Sequence, residues 1–315
     1  EVGTIEYSTR VVEAYREALL SHLDESLISS RHFKLVVDYA YGRTSLVLPS
    51  ILGRMGLEVV ALNPFVDPLR APRSPEDRDK MIKELKNTVT ALKADLGVFF
   101  EHSGGETLSL VSPNGEVIEG FKLLLFFAKL LYETARKGDI ATYIFAPRAI
   151  DELAHRYGGK AIRTRPAPRY LLEASRDALL GGNEAGGLVF SKFQPAFDSI
   201  FALGMILQCL AKLKVEATDI LRELPDFNLK YVTVPCPWQE KGRVVRILLQ
   251  ELGTASEYGI LVKEHSKRWV LILPDVSESY FHIWAEGETE EEAEFHLKEK
   301  REKLEMLISA HSTPL

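Results

Sequence analysis

The sequence predicts an α/β chain, with two βαβ mixed-sheet domains over about residues 1–137 and 138–225 and a smaller α+β domain over 226–315. Three observations lead there. Short apolar runs of strand length alternate with longer runs at helical spacing through the first two hundred residues. A strand–helix–strand order at that spacing reads as a βαβ unit with a parallel sheet, since parallel neighbours need a crossover between them. Beyond residue 226 strand-like runs dominate and one long charged helix closes the chain, which is the α+β plan.

Taken in order, Ser8 can cap a helix to about Ile28, with Val11, Val12, Tyr15, Leu19, Leu23 and Leu27 on one face. Lys34–Tyr39 reads as a strand, Ser45–Met55 as a helix and Glu58–Leu62 as the next strand. The helix start at Thr44 and Ser45 offers a place for an anion, although no Gly-x-Gly-x-x-Gly precedes it. Ser74-Pro75-Glu76-Asp77 is a strong helix start, leading to about Ala94. Leu96–Phe100 and Thr107–Val111 are strands flanking a small polar loop, and Ser112-Pro113-Asn114-Gly115 is a turn. A helix from Gly120 to Lys137 ends the first domain.

The second series has strands at Ile140–Phe145, Lys160–Arg163 and Leu188–Phe190. Its helices are Pro147–Tyr157, Arg169–Leu179 and the apolar Asp198–Leu213. The glycine-rich stretch Gly181–Gly187 reads as a loop, either mobile or in close approach to a ligand. The last domain carries strands at Tyr231–Val234, Ile260–Lys263, Trp269–Leu273 and Tyr280–Ala285. Its helices are Arg243–Leu252 and Glu288–Ser309, the latter buried along Ala293, Leu297, Leu304, Leu307 and Ile308.

Composition excludes several function classes. At 46% apolar and 27% charged, the 315 residues are those of an ordinary globular protein. A net charge of −6 argues against a general nucleic-acid binder, whose footprint is a basic face. Two cysteines, Cys209 and Cys236, cannot form a disulfide framework or a thiolate metal site, and Cys209 reads as core. The most apolar run, Leu123–Tyr132, contains Lys129 and is too short to span a bilayer. No membrane partner or signal peptide is expected, and the cytoplasm is the expected location. The chain opens inside its first helical run, so a piece of a longer protein is expected.

Five stretches together resemble the α-D-phosphohexomutases, the phosphomannomutase/phosphoglucomutase superfamily, over its second, third and fourth domains. They are Lys34–Gly42 with Leu46–Pro49, Met55–Asn63 with Asp67, Ala94–Val98, Gly181–Gly187, and Trp269–Pro274 with Ile283–Glu286. The resemblance implies three functional loops, and at each the chemistry has changed. The three aspartates of the family's Asp-Gly-Asp-Ala-Asp-Arg metal loop fall at Glu101, Ser103 and Gly105, and its arginine at Glu106. A hard divalent ion needs those oxygens. The glutamate and serine of the sugar-binding Gly-Glu-x-Ser-Gly loop fall at Asn183 and Ala185, with Glu184 able to substitute after a one-residue shift. In the phosphate-binding Arg-Pro-Ser-Gly-Thr-Glu-Pro loop, the arginine falls at Leu273, the serine at Asp275 and the glycine at Val276, and only Ser277 nearly matches the threonine. An aspartate where a phosphate should sit repels it, and the bidentate guanidinium is gone. The family's phosphoserine motif is not in this sequence.

The expectation is a mutase-like module without catalytic residues, similar to the C-terminal part of mannose-1-phosphate guanylyltransferase fusion proteins. It would bind a hexose phosphate or sugar nucleotide through Asn183, Glu184, Arg169 and Ser277, with Glu101 at most a weak metal ligand and no cofactor required. A fused or associated nucleotidyltransferase domain and a homo-oligomer are the expected protein partners. The alternatives are an active phosphohexomutase and a purely structural oligomerisation piece. The active enzyme would take its serine from a further N-terminal domain and hold Mg2+ in a rearranged loop around Glu101, His102 and Glu106.

Overall fold

The computed structural model describes residues 3, 10–101, 104–252, 259–265 and 268–310. They form two compact units. One comprises 1–142, 153–164 and 168–224, and the other 143–152, 165–167 and 225–315.

The first unit opens with two helices, α1 (Val11–Leu20) and α2 (Glu25–Ser30), where the apolar period predicted one. The period is interrupted by a cap: the Asp24 carboxylate accepts the Leu27 N–H at 2.9 Å and starts a new helix. Ser8 lies outside the described residues. The first sheet has the order β2-β1-β3-β4-β5, with β1 Lys34–Asp38, β2 Glu58–Leu62, β3 Leu96–Phe100, β4 Leu108–Val111 and β5 Val117–Ile118. β1 lies parallel to β2 and β3, and β3–β4 and β4–β5 are antiparallel. β3 is buried at every residue, as expected of a strand covered on both faces. The helix predicted from Ser45 is a 3-10 turn, Arg43–Leu46, followed by α3 (Leu48–Arg54), with Pro49 in its first turn. α4 (Pro75–Leu92) begins as predicted: the Ser74 hydroxyl accepts the Asp77 N–H at 3.2 Å. Its Ile82, Leu85 and Val89 bury against Val36, Phe99 and Val111, and each such side chain contributes about 2 kcal/mol. Gly97 permits that approach, since a Cβ there would stand 2.6 Å from Val89 Cγ2.

The second sheet has the order β10-β9-β8-β6-β7: β6 Ile140–Tyr143, β7 Ala161–Thr164, β8 Leu180–Gly182, β9 Leu188–Phe190 and β10 Gln194–Phe197. Strands β8 and β10 are findings of the structure. The helix predicted to Leu179 is α7 (Pro168–Ala174), and it ends where the Ser175 hydroxyl donates back to the Leu171 carbonyl at 2.6 Å. Gly181 and Gly182, read as loop residues, lie inside β8. A Cβ on Gly181 would stand 2.0 Å from Ser175 Oγ and one on Gly182 2.5 Å from Leu124 Cδ1, so their glycines serve packing.

α5 (Gly120–Glu133) and α8 (Ser199–Leu213) are apolar nearly all round and pack on one another, which is how such helices are accommodated in a globular core. Lys129 within α5 is buried but paired with Glu133 at 2.8 Å and with Glu223 at 2.7 Å. α5 stops at Glu133, four residues before the predicted end, where the chain turns through Ala135 at φ 66°. α6 (Ala149–Arg156) and α9 (Ala217–Arg222) complete the helices up to residue 224. Among the described residues no helix is long and apolar enough to cross a membrane.

The second unit contains an antiparallel sheet of order β11-β14-β13-β12: β11 Asn228–Pro235, β12 Ile260–His265, β13 Arg268–Pro274 and β14 Tyr280–Gly287. Helices α10 (Trp238–Leu252) and α11 (Glu290–Ser309) share a core with one face of it, through Val244, Leu248, Leu304, Ile272, Phe281 and Ile283. The predicted stripe of α11 is buried at Ala293 and Leu304 and half-buried at Leu297, Leu307 and Ile308.

Candidate functional site

The loop following β3 starts with Glu101, and its carboxylate is already bonded. Arg78, in the first turns of α4, donates from Nε to Glu101 Oε1 at 2.7 Å. Its Nη2 donates to Glu119 Oε2 at 2.8 Å and to Ser109 Oγ at 3.0 Å, and the guanidinium lies 5.6 Å from the centre of the Phe99 ring. Burial alone would lower the guanidinium's pKa, but hydrogen bonds to Glu101 and Glu119 outweigh it and the net direction is upward. His102 and Ser103 lie outside the described residues. Gly105 has φ +98°, and its carbonyl accepts from the Ser199 N–H at 2.9 Å and hydroxyl at 2.6 Å. A Cβ on Gly105 would meet the Thr44 methyl at 3.4 Å and Ile200 at 3.5 Å. Glu106 is exposed.

The glycine-rich stretch is the tip of the β8–β9 hairpin. Asn183 donates its N–H to the Gly187 carbonyl at 3.1 Å, and Gly186 donates to the Asn183 carbonyl at 3.3 Å. That is a three-residue loop of Glu184, Ala185 and Gly186, whose last position needs positive φ; Gly186 has φ +81°. Asn183 Oδ1 accepts the N–H groups of Ala185 at 3.2 Å and Gly187 at 2.9 Å. The tip lies on the start of β4: Leu108 donates to the Gly186 carbonyl at 3.3 Å, and Thr107 bridges Gly187. A Cβ on Gly186 would stand 2.3 Å from the Leu108 oxygen. Turn chemistry and close backbone approach therefore account for these glycines. Glu184 is an exposed residue, yet the protein packed around its carboxyl pushes its pKa up. Arg169, exposed in the first turn of α7, lies over the Tyr170 ring at 5.8 Å.

Ser277 belongs to the other unit, in the loop from Pro274 to Tyr280, and is exposed. Its N–H and that of Glu278 both donate to Asp275 Oδ1, each at 2.7 Å, while Asp275 Oδ2 lies 2.8 Å from His282 Nε2. Lys241, nearly buried, donates to the Asp275 carbonyl at 2.7 Å and to the Glu278 carbonyl. Partial burial pushes the Asp275 carboxyl up, but the hydrogen bonds from Ser277, His282 and Glu278 outweigh it and hold it below the usual carboxylate range.

The structure thus places Asn183 and Glu184 on one hairpin tip, next to the loop that carries Glu101, with Arg169 on α7 of the same unit. The partners Arg78, Ser109, Glu119, Lys241 and His282 carry no sequence signal of their own. Asn183 and Asp275 do carry one, because short carboxyl and amide side chains habitually accept backbone N–H groups two residues on. A divalent cation of the magnesium type takes six oxygen ligands. Glu101 supplies a carboxylate already engaged by Arg78, and Gly105 supplies no side-chain donor, so these residues do not fit it. Among the described residues no group of three or more His, Cys, Asp or Glu is placed to hold a metal.

Two family models match. Residues 13–104 match the α/β/α domain II of phosphoglucomutase/phosphomannomutase, and residues 119–227 match domain III of the same family. A probable phosphoglucosamine mutase of Thermococcus gammatolerans is 28% identical over 313 residues, covering 96% of this chain and 68% of that protein. A phosphoglucomutase/phosphomannomutase of Thermococcus kodakarensis is 28% identical over 297 residues, covering 91% and 64%. The chain spans between 61% and 68% of the length of such curated relatives. The crystal structure of a phosphoglucomutase/phosphomannomutase family protein from Burkholderia thailandensis superposes with a TM-score of 0.78 at 17% identity, covering 96% of this chain and 65% of that one. That of Aspergillus fumigatus N-acetylphosphoglucosamine mutase, in complex with GlcNAc-6P and magnesium, superposes with a TM-score of 0.64 at 14% identity, covering 96% and 71%. Matched to two consecutive domains of one family and folded like its solved members, the chain belongs to the phosphohexomutase superfamily.

Proposed function

We propose that this chain is a phosphohexomutase-like module without mutase chemistry of its own, serving hexose-phosphate or sugar-nucleotide recognition, regulation or assembly. One observation carries the reading: the three loops where the family resemblance puts metal, sugar and phosphate are each closed by side chains of this chain. Arg78 bonds Glu101, Asn183 bonds the hairpin amides, and Asp275 bonds the amides of Ser277 and Glu278. The groups left for a sugar are Glu184 and Arg169 in the first unit and, separately, Ser277 in the second, all exposed. A nucleotidyltransferase of the mannose-1-phosphate guanylyltransferase kind, fused or associated, is the partner this reading favours.

Calorimetric titration with mannose 1-phosphate, glucose 1-phosphate and glucosamine 1-phosphate, with and without magnesium, tests it. Magnesium-independent binding is the expected result, weakened by Glu184→Gln and Arg169→Ala. Tight binding that requires magnesium would sink the reading and favour an active mutase. The absence of heat at millimolar ligand would leave only assembly. The active-enzyme reading has one observation in its favour, since the matched relatives bear mutase names and are about half as long again. Its test is hexose 1-phosphate to 6-phosphate conversion by the full-length protein, with magnesium and a hexose 1,6-bisphosphate.

A further inference from the structure

The fold family implies a divalent cation at the loop after β3, and the described residues there, Glu101 and Gly105, do not fit one. We propose that the Arg78 guanidinium stands in for that cation, as a fixed positive charge supplied by α4, so that the loop neither needs nor accepts a metal ion. The proposal does not depend on whether the chain binds a sugar phosphate.

Three oxygens converge on Arg78 from three separate segments. Glu101 comes from the end of β3, Ser109 from β4 and Glu119 from the residue before α5, at 2.7, 3.0 and 2.8 Å. Two carboxylates facing one another across that gap would repel; the guanidinium between them turns the repulsion into two charge-assisted hydrogen bonds. A cation that ties strand ends together through carboxylate oxygens does the structural work of a bound metal. The rigid fork of a guanidinium suits this task, because its N–H groups point in fixed directions at separate acceptors. The Phe99 ring lies 5.6 Å from the guanidinium carbon, so an aromatic face covers the cation on one side.

The same geometry works against a metal at Glu101 and at Gly105. A divalent ion approaching Glu101 would have to displace Arg78 or sit beside it, two positive groups on one carboxylate. At Gly105, where the resemblance puts another carboxylate, the space in front of the backbone is lined by the Thr44 methyl and by Ile200. Those apolar groups offer no oxygen, so an ion admitted by removing Arg78 would sit in the guanidinium's place among Glu101, Ser109 and Glu119 and not at Gly105.

Manganese binding followed by electron paramagnetic resonance, together with the circular dichroism melting curve, tests the proposal on the whole chain. The wild type is expected to take up no Mn2+ at millimolar concentration and to melt at the same temperature with or without it. Arg78→Met removes the charge and keeps the bulk. It is expected to melt lower and to gain Mn2+ uptake at least tenfold above the wild type, with the metal recovering part of the lost melting temperature. Arg78→Lys keeps a cation and is expected to exclude Mn2+ as the wild type does. Mn2+ bound by the wild type or by Arg78→Lys would overturn the proposal, and so would a folded Arg78→Met that takes up no more Mn2+ than the wild type. Should Arg78→Met be unfolded without metal, refolding by Mn2+ supports the proposal and failure to refold overturns it. Sugar titration is a separate measurement, so the outcome there leaves this one intact.

Discussion

The loop after β3 and the loop between β13 and β14 meet opposite electrostatic needs by different routes. The first presents acids, Glu101 with Glu119 beside it, and receives its counter-charge from Arg78, more than twenty residues upstream on a helix. The second presents backbone N–H groups, and the anion that satisfies them is Asp275, two and three residues away. Lys241 then fastens the outer carbonyls of that loop from α10. The lesson is one of range. Where closure is local, losing it should loosen a few exposed residues. Where it is built from distant elements, losing it should unfasten strands and helices from one another.

The largest expected effect lies on the side of distant closure. Gly186 holds the hairpin tip against β4 with φ +81°, and a Cβ there would meet the Leu108 oxygen at 2.3 Å. Gly186→Ala should therefore cost about 3 kcal/mol or more, combining a left-handed backbone with a collision that only moving one strand relieves. Gly104 also has positive φ, +131°, but a Cβ there would meet nothing within 4 Å. Gly104→Ala should cost the backbone strain alone, about 1 to 3 kcal/mol. Urea midpoints of the two variants measure the contrast. A loss at Gly186 smaller than the loss at Gly104 would mean that the hairpin-to-β4 contact adds nothing to the backbone strain.

Next in size is the coupling across Arg78. A double-mutant cycle of Arg78→Met with Glu101→Gln should give an interaction of about 1 to 2 kcal/mol, because both side chains are largely covered. The cycle with Glu119→Gln should give less, about 0.5 kcal/mol, since Glu119 is half exposed and water screens the pair. Raising the salt concentration should shrink the second coupling more than the first. A reversed order would show that Glu119, and not the loop acid, is the true partner of Arg78.

This difference in range also explains what the sequence could disclose. The sheets of the two βαβ series, the caps at Ser74 and Asp198 and the apolar helices α5 and α8 are written in local spacing, and the fold class follows from them. Strand β8 escaped because its Gly181 and Gly182 look like loop residues until Ser175 and Leu124 are seen pressed against them. The break between α1 and α2 escaped because the apolar period runs through it, although Asp24 is an ordinary capping residue. Asn183 was readable as a sugar contact in a glycine-rich loop, and only the hairpin geometry puts its Oδ1 on the amides of Ala185 and Gly187. Arg78 was not readable at all, since a surface arginine in the first turns of a helix looks the same whether it faces water or two carboxylates.

The smallest expected effect belongs to the locally closed loop, and it has a direction in pH. The folded structure holds the Asp275 carboxyl below its ordinary value, while the unfolded chain releases it to that value. Between the two, the folded state binds fewer protons than the unfolded state, so folding is favoured as pH rises through that window. The contribution is complete above the unfolded pKa and is lost as pH falls through the folded one. Melting temperature should therefore decline as pH drops below about 4, and Asp275→Ala should make that decline shallower. At neutral pH the same variant should lose about 1 kcal/mol, the usual cost of removing a side chain that caps exposed backbone N–H groups. Ser277 and Glu278 are exposed, so water can replace the carboxylate on their amides, which keeps the loss below that of Arg78→Met. An Asp275→Ala variant as acid-sensitive as the wild type, and as stable at neutral pH, would mean that Lys241 alone holds this loop and that its closure is as long-range as the other.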